Sequence, residues 1–242
     1  MAGTVKFFDP SDPLSLTDWE IQKGGNPSLV KQRAQALDKN GDEFRRQQYG
    51  GQTSVTLDYI CKKVSGYADV PEVGSVVGGW HVDSWTVTYT QQNWPTLSVS
   101  CHKHDTSKGG VVDADCRTYA PSFKIPVAWG VPTELPKATS GNVFELSSGA
   151  VVTTRGMTLS MQVNHVDEAD NAGEHFAGDN YDGSETLNVD FTGDVDPATD
   201  YTLDSDWTDD TFSKDQGNTQ ATTSSLSASH HVGHTVAVPS GT

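Results

Sequence analysis

The sequence predicts a mainly β protein: an antiparallel β-sandwich or barrel with long loops, an extended N-terminal arm and a long β-hairpin. Apolar and Ser/Thr residues alternate with a period of two in several segments, as in strands that bury one face. A Leu-Ser phrase that ends at or near histidine recurs at 96–104, 157–165 and 225–232, which is typical of one kind of amphipathic strand. Hydrophobic residues make up 34% of the 242 residues, so we expect a modest core and long polar loops.

The chain is expected to form an extended arm over residues 1–27 and a single β domain over residues 28–242. The arm is rich in Pro, Asp and Gly, which are residues of turns and irregular segments. Within it, Trp19 and Ile21 could anchor the segment to a neighbouring surface. The N-terminus has no apolar stretch of signal-peptide length, so we expect a protein that is made in a cytoplasm.

Two structures compete for residues 28–38. The segment SLVKQRAQAL could form a helix with Ser28 as its N-cap. It could equally form the first strand of a long hairpin that turns at Asn40-Gly41, a pair suited to a type I′ turn. We favour the hairpin, because TSVTLDYI alternates as a strand and the flanking residues are polar on both faces, as in an exposed β-ribbon.

The clearest strands lie in residues 76–104. In WHVDSWTVTYT the alternation predicts Trp80, Val82 and Ser84 on one face and Trp85, Val87 and Tyr89 on the other. In TLSVSCHKH it predicts Leu97, Val99 and Cys101 on one face and Ser98, Ser100, His102 and His104 on the opposite face.

The rest of the chain divides into a connection, further strands and acidic loops. Residues 105–142 are predicted to be a long connection, because its prolines exclude a central strand. The β pattern resumes at 143–164. Residues 165–184 are predicted to be a loop rich in Gly, Asp and Asn, part of a set of acidic loops within 165–215. Strands are expected at ETLNVDFTG and SSLSASHHV.

Two segments share a longer pattern. Both DSWTVTYTQQNWPTLSVSCHKH and DSDWTDDTFSKDQGNTQATTSSLSASHHV run from an Asp followed directly or after one residue by Trp-Thr, through a turn rich in Gln and Asn, to a Leu-Ser strand. This similarity suggests a duplication of one hairpin.

The formal net charge of −16 is concentrated in the last third of the chain. Residues 1–155 hold 15 Lys and Arg against 16 Asp and Glu, whereas residues 156–242 hold one Lys against 16 acids. Such a segment repels phosphate backbones, so ordinary nucleic-acid binding is not expected. It could bind Ca²⁺, keep a surface soluble, or line a passage through which another polyanion slides.

A metal site is one hypothesis for the histidines. His102 and His104 would lie about 7 Å apart on one strand face, which is half of a transition-metal site. His230, His231 and His234 would complete it if the last strand were a neighbour. We favour a plain hydrophilic strand face, because neither an acidic residue nor a cysteine lies at a supporting spacing. Cys61, Cys101 and Cys116 are odd in number and predict no disulfide framework.

Other candidate sites are equally weak. Asp194, Asp196, Asp200 and Asp204 could supply oxygen ligands to Ca²⁺, but their spacing does not fit an EF-hand loop. Trp80, Trp85 and Trp94 could form a platform that stacks on sugars, although such residues are more often core or interface anchors. Hydrolase and nucleotide-binding motifs are absent from the sequence. We therefore predict no enzymatic activity and no catalytic, cofactor-binding or metal-binding residues.

The order RAQALDKNGDEF, TSVTLDYI, GSVVGGWHVDSWTVTYT and WPTLSVSCHKH resembles the tail tube (major tail) proteins and related virion structural proteins of tailed bacteriophages. The resemblance is one of general sequence pattern and extends over most of residues 28–232. It implies a β-sandwich or barrel that assembles into hexameric rings, which stack as a tail tube and conduct DNA during genome ejection. It also implies other tail proteins as partners, transient passage of DNA without specific binding, no membrane, and assembly in the host cytoplasm.

An alternative to the tube is a virion decoration or glycan-binding β-sandwich module, with or without stabilisation by Ca²⁺. The acids concentrate in segments that the pattern assigns to loops, so they could decorate the outside of a tube and leave its lumen less charged.

Overall fold

The computed structural model describes residues 12–23, 25, 28–37, 39, 43–104, 116–150, 152–169, 175–215 and 222–232. Every regular element in these residues is a β-strand, which confirms the predicted mainly β fold class. The strands are β1 (Trp19–Lys23), β2 (Ser28–Leu37), β3 (Glu43–Cys61), β4 (Tyr67–Ala68), β5 (Val76–Val77), β6 (Trp80–Thr90), β7 (Thr96–His104), β8 (Ile125–Pro126), β9 (Glu134–Pro136), β10 (Asn142–Leu146), β11 (Thr153–Ala169), β12 (His175–Thr192), β13 (Tyr201–Leu203), β14 (Thr208–Asp215) and β15 (Thr223–Val232). A helix of the length and apolar character needed to cross a membrane is absent from these ranges.

One large antiparallel sheet organises the fold. Its ten strands include the order β1-β3-β7-β6-β11-β12-β15-β14, with β2 paired to β3 and β5 paired to β6. Two small sheets, β13-β10-β9 and β4-β8, supply further core residues. The core joins large-sheet residues such as Leu57, Val87 and Leu187 to small-sheet residues such as Ile125 and Phe144. This packing agrees with the predicted sandwich character.

The hairpin that we favoured over a helix is confirmed. Strand β2 pairs with β3 from Ser28↔Ser54 to Leu37↔Glu43. The turn predicted at Asn40-Gly41 lies outside the described residues.

The part of the predicted arm that the structure describes includes strand β1, which pairs with the end of β3. Trp19 is buried in the core of its own chain, and its indole Nε1 donates a hydrogen bond to the Asp69 carbonyl. Trp19 therefore anchors this segment to its own domain, whereas the sequence had suggested a neighbouring surface.

The face assignment in β6 was wrong, because a β-bulge interrupts the strand. Val82 pairs with Cys101 and Ser84 with Ser100, so Asp83 is an extra residue on β6. A bulge of this kind shifts the alternation by one residue. The two predicted sets of large residues are consequently buried together in the core: Trp80, Val82, Trp85, Val87 and Tyr89. The faces predicted for β7 are confirmed, with Leu97, Val99 and Cys101 buried in the core.

The loop predicted at 165–184 was also wrong. Strand β11 continues to Ala169, and β12 begins at His175 and pairs with it along its length. Backbone hydrogen bonds between two strands do not require apolar side chains, so a polar, glycine-containing segment can extend a hairpin past the core. The acids of 165–215 therefore lie largely on strands β11, β12 and β14, with loops at 193–200 and 204–207.

The proline-containing segment 105–142 agrees with its prediction where the structure describes it. Between residues 116 and 142 the strands are short, and β8 and β9 lie in the small sheets outside the large one.

Two long ribbons leave the large sheet at the same end. Residues Glu43–Gly51 of β3 pair with β2, beyond the point where Gln52 pairs with His104, the last residue of β7. Residues 164–169 of β11 likewise pair with β12, beyond the point where Gln162 pairs with Ser84 of β6. We call this the ribbon end of the sheet.

Candidate metal centre

Three adjacent strands each bring a pair of ligand-type side chains to the ribbon end. Strand β6 contributes His81 and Asp83, β7 contributes His102 and His104, and β11 contributes His165 and Asp167. Each pair has the spacing i, i+2, which places side chains on one face of a strand. His175 of β12 and the buried Cys116 lie beside them, so five of the eight histidines in the chain meet here.

The imidazole rings are packed against one another. Ring centroids are 4.4 Å apart for His81 and His165, 4.6 Å for His81 and His102, and 4.8 Å for His102 and His165. His104 lies 5.2 Å from His102 and 4.1 Å from His175. The side chains of His81, His102, His104 and His165 are each at least nine-tenths buried. The rings are thus both buried and in contact, so the cluster is part of the packed structure at this end of the sheet.

Asp83 joins two of the rings. Its Oδ1 lies 2.9 Å from His81 Nδ1 and 2.6 Å from His102 Nδ1. Burial alone would raise the pKa of Asp83, but the hydrogen bonds from His102 and His81 outweigh it and lower the pKa. Asp83 lies at the β-bulge, between the pairs Val82–Cys101 and Ser84–Ser100.

Asp167 joins a second pair of rings, those of His104 and His165. Its Oδ1 lies 2.8 Å from His165 Nε2 and 3.0 Å from His104 Nε2. Burial raises the pKa of this carboxyl, and contact with His104 and His165 lowers it by more, so the net pKa is well below its ordinary range. Asp167 is therefore an ionised carboxylate that faces two ring nitrogens.

Asn180 holds His165 from the other side. The Asn180 Nδ2 group donates to the carbonyls of Arg117 at 2.7 Å and Gly74 at 3.4 Å, so its Oδ1 is the atom that accepts from His165 Nδ1 at 2.8 Å. Gly74 has a φ of +82°, and a Cβ there would lie 2.5 Å from Asn180 Nδ2 and 2.3 Å from the Arg117 carbonyl. The backbone beside the cluster is thus shaped to fit Asn180.

Three sets of side chains could hold a metal ion. The first is His102, His104, His165 and Asp167; the second is His81, Cys116 and His165; the third is His81, Asp83 and His102. Within each set the potential ligand atoms lie within 4.8 Å of one another. Nitrogen, oxygen and sulfur donors in this mixture suit Zn²⁺ and neighbouring transition metals.

The histidines of the last strand do not join this site. Strand β15 pairs with β12 and β14, whereas β7 pairs with β3 and β6, so His230 and His231 are not neighbours of His102 and His104. His230 instead contacts the buried carboxylate of Glu185 through Nδ1 at 2.8 Å, and His231 is exposed. His234 lies outside the described residues.

The partners that complete the cluster were missed by the sequence analysis, which found no acid or cysteine at a supporting spacing. Asp83, Asp167 and Cys116 supply those groups, while Cys101 lies in the core as predicted. One signal could have revealed them, because the tripeptide His-Val-Asp occurs at 81–83 and again at 165–167. Its significance depends on strand pairing between distant segments, which the tripeptide alone does not specify.

The acids proposed as Ca²⁺ ligands are used in other ways. Asp196 accepts from the backbone of Ala198, and Asp200 accepts from the backbone of Asp196. Asp194 pairs with Lys214, and Asp204 with Lys137. Among the described residues these four do not form a set of converging carboxylates.

Two of the three tryptophans considered for a sugar platform are core anchors, which is the alternative that the sequence favoured. Trp80 and Trp85 are buried in the core. Trp94 is 37% exposed and packs edge-to-face, at 5.4 Å between ring centroids, against Trp129, which is 59% exposed.

Comparison of the chain with protein-family models and with curated proteins finds no match in either case.

Proposed function

We propose that this chain is a structural virion protein of a tailed bacteriophage that assembles into hexameric rings, stacked as a tail tube through which DNA leaves the particle. The observation that carries the proposal is the pair of long β-ribbons that project from one end of a large antiparallel sheet. A chain that acts alone gains little from extending two hairpins past its core, whereas an assembling chain can use them to reach its neighbours.

The β2–β3 ribbon supplies the means of assembly. Over Glu43–Gly51, strand β3 pairs with β2, and within the described residues its second edge has no partner strand. Exposed strand edges pair readily with strands of other chains, and β-augmentation is a common way to join subunits. Oligomerisation would also add buried area to a chain with a modest apolar content.

The charge distribution is compatible with a conduit. On the edge strand β14, Asp209, Asp210 and Asp215 are exposed, and the strand carries a single Lys. A wall with this excess of carboxylates repels the phosphate backbone and lets DNA slide without sticking. Charged residues on an edge strand also prevent uncontrolled edge-to-edge aggregation.

Electron microscopy of the purified chain in negative stain, across a concentration series and with mass from light scattering, tests the proposal. We expect rings with a central hole, and tubes at higher concentration. A monodisperse monomer at every concentration would contradict self-assembly of the isolated chain.

A shortened ribbon provides the matched variant. Lys31 pairs directly with Gly51, so replacing residues 32–50 by Asn-Gly would close β2 and β3 with a two-residue turn. The buried residues Val55, Leu57 and Tyr59 of β3 are kept. We expect this variant to fold, with a β-type circular dichroism spectrum and cooperative unfolding, and to remain monomeric. Rings formed as readily as by the full chain would show that the ribbon is not the assembly element.

A glycan-binding or decoration module is the second candidate, and the exposed Trp94–Trp129 pair favours it. Two indoles that meet edge-to-face at the surface present apolar faces on which a sugar ring could stack. Calorimetric titration with a panel of bacterial surface oligosaccharides tests this function. We expect heat of binding that disappears in the double variant Trp94→Ala, Trp129→Ala if the pair is a sugar platform, and ring formation unaffected by the same change.

A further inference from the structure

We propose that the histidine cluster at the ribbon end binds one transition-metal ion of the Zn²⁺ class through His102, His104, His165 and Asp167. This site is independent of the proposed virion role. It stands on the convergence of four ligand atoms within 4.8 Å, contributed by strands β7 and β11 on the two sides of β6. Three imidazoles and a carboxylate form a donor set that Zn²⁺ takes in four-coordinate sites.

The hydrogen bonds around His165 prepare it as a ligand. Because the Asn180 amide donates to two backbone carbonyls, its oxygen accepts the proton of His165 Nδ1. In neutral imidazole the other nitrogen then carries a lone pair. That nitrogen, Nε2, faces the carboxylate oxygen of Asp167 at 2.8 Å. Two electron-rich atoms at this distance repel each other unless a positive charge lies with them.

His104 Nε2 faces the same Asp167 oxygen at 3.0 Å, so one carboxylate atom meets two ring nitrogens. Ligands of a tetrahedral Zn²⁺ ion, each about 2.0 to 2.1 Å from the metal, are separated from one another by about 3.3 Å. The spacings at Asp167 are therefore close to those of a coordination shell. A single divalent ion would satisfy both contacts, which otherwise require a separate proton on each ring.

The outer contacts also match those of a metal site. Ligating histidines usually donate their second ring nitrogen to a carboxylate or carbonyl, which fixes the orientation of the ring. Asp83 accepts from His102 Nδ1 at 2.6 Å, and Asn180 accepts from His165 Nδ1 at 2.8 Å. His102 is thereby left with Nε2 as its nitrogen for the ion, and so is His165.

The shared ligands set the stoichiometry at one ion for each chain. The set with His81 and Cys116 uses His165, and the set with His81 and Asp83 uses His102. Two sets that share a histidine could be filled together only if its ring lost both N–H protons and bridged two ions, so we expect one ion for each chain. Hard cations such as Ca²⁺ and Mg²⁺ prefer all-oxygen shells and would not compete for a site rich in imidazole.

The position of the ion has a structural consequence. It would link β7 to β11 across β6 at the level where both ribbons leave the sheet. An ion there would fix the base of the ribbons, because neither strand could shift without breaking a metal–ligand bond.

The test uses the full chain, stripped with a chelator and dialysed, then titrated with Zn²⁺ by calorimetry and with Co²⁺ by visible absorption. We expect saturable uptake of one equivalent, a rise in the melting temperature with Zn²⁺, and the intense visible bands of four-coordinate Co²⁺. Failure of the unaltered chain to take up a saturable equivalent, or a Co²⁺ spectrum of the weak six-coordinate kind, would overturn the proposal without need of any variant.

Two neighbouring substitutions make a matched pair. Asp167→Asn removes the proposed ligand, whereas Glu168→Gln makes the same charge change at the next residue, whose side chain is exposed. We expect Asp167→Asn to weaken Zn²⁺ binding by at least about tenfold, the lower end of effects seen when even the supporting residues of a metal site are changed. Glu168→Gln and His231→Gln should retain the affinity of the unaltered chain. Equal affinity in all of these proteins would show that the ion binds elsewhere on the surface.

Discussion

The β6–β7 and β14–β15 hairpins share one sequence pattern but differ in their surroundings. Each runs from a Trp-Thr pair just after an Asp, through a polar turn, to a Leu-Ser strand, and each folds as an antiparallel pair. The first lies in the middle of the large sheet, between β3 and β11, whereas β14 is an edge strand. Strand β6 therefore buries alternate residues, and β14 is exposed along nearly its whole length. The pattern specifies a hairpin, and the neighbouring strands decide what it does.

The histidines that end the two hairpins show the same contrast. His102 and His104 meet histidines and carboxylates from β6 and β11, which lie on one side of β7, and this creates a potential metal centre. His230 meets the single buried carboxylate of Glu185, which also accepts from the backbone and hydroxyl of Ser122. The central hairpin has β11 beside it to complete a site, whereas the other hairpin ends in the edge strand β14, which has no further strand beyond it among the described residues.

The largest expected effect on stability comes from truncating the tryptophan of the shared Trp-Thr pattern in each hairpin, Trp85 or Trp207. Trp85→Ala should lower the free energy of unfolding by about 4 kcal/mol, because the indole is fully buried within the central sheet. Trp207→Ala should cost at least about 1 kcal/mol less, since Trp207 precedes the edge strand and its surroundings can relax. Urea unfolding measures both changes, with the exposed Trp129→Ala as control. Equal losses at Trp85 and Trp207 would show that the edge hairpin is as tightly packed as the central one.

Removal of the buried Glu185 carboxylate is expected to cause the next largest loss of stability. Glu185→Ala should lower the free energy of unfolding by about 3 kcal/mol, because it leaves the Ser122 donors and His230 without their buried acceptor. Ser225→Ala, which removes an exposed hydroxyl contact with Ser213 on the same hairpin, should change it by less than about 0.5 kcal/mol. Thermal and urea unfolding of the two variants check the prediction. A loss at Glu185 no larger than at Ser225 would contradict a structural role for the buried network.

Zinc should affect the two hairpins unequally. If the proposed ion binds, backbone amides at 80–83, 100–104 and 163–168 should exchange more slowly with deuterium, because local opening would break metal–ligand bonds. Amides at 208–215 and 223–228 should exchange at unchanged rates. Mass spectrometry of peptides with and without Zn²⁺ measures the difference. Uniform slowing over both hairpins would indicate binding that stabilises the whole chain without a local centre.

The smallest effect on stability is expected from Lys137. Its ammonium pairs with Asp204, which lies just before strand β14. The hydrogen bond from Lys137 lowers the pKa of Asp204 below its ordinary value. A lowered folded-state pKa stabilises the fold above the unfolded pKa, about 3.9, and this contribution is lost as the pH falls through the lower folded value. Lys137→Gln should therefore cost at most about 0.5 kcal/mol at pH 7, since the pair is partly exposed to solvent.

In strongly acidic solution the difference between Lys137→Gln and the unaltered chain should vanish. Thermal unfolding over a pH series compares the two proteins. A difference that grows as the solution becomes more acidic would reverse the sign of this assignment.

The sequence predicted strands better than it predicted their arrangement. Alternation identified the β2–β3 hairpin and the faces of β7, because period-two patterns are local. It missed the bulge at Asp83, because one extra residue leaves no mark except a phase change in the pattern. It missed the extension of β11 and β12, because ribbons outside the core bury few apolar residues.

The candidate metal centre was the least predictable feature. His102 and His104 were visible as a pair on one strand, but His81 comes from the neighbouring strand β6. His165 and Asp167 come from β11, which lies on the far side of β6 only through the order of the sheet. Strand order depends on long-range pairing, which the local pattern does not encode. The histidines of β15 matched the phrase equally well and proved to lie elsewhere.

The six tryptophans fall into two environments, and this has an optical consequence. Trp19, Trp80, Trp85 and Trp207 are buried, whereas Trp94 and Trp129 are exposed and in contact. Iodide in solution should quench emission from the exposed pair and spare the other four. The coupled indoles should also produce a paired band in the near-ultraviolet dichroism. The protein thus carries two groups of tryptophans with distinct signals. The exposed pair reports on its surface, and the four buried indoles report on its interior.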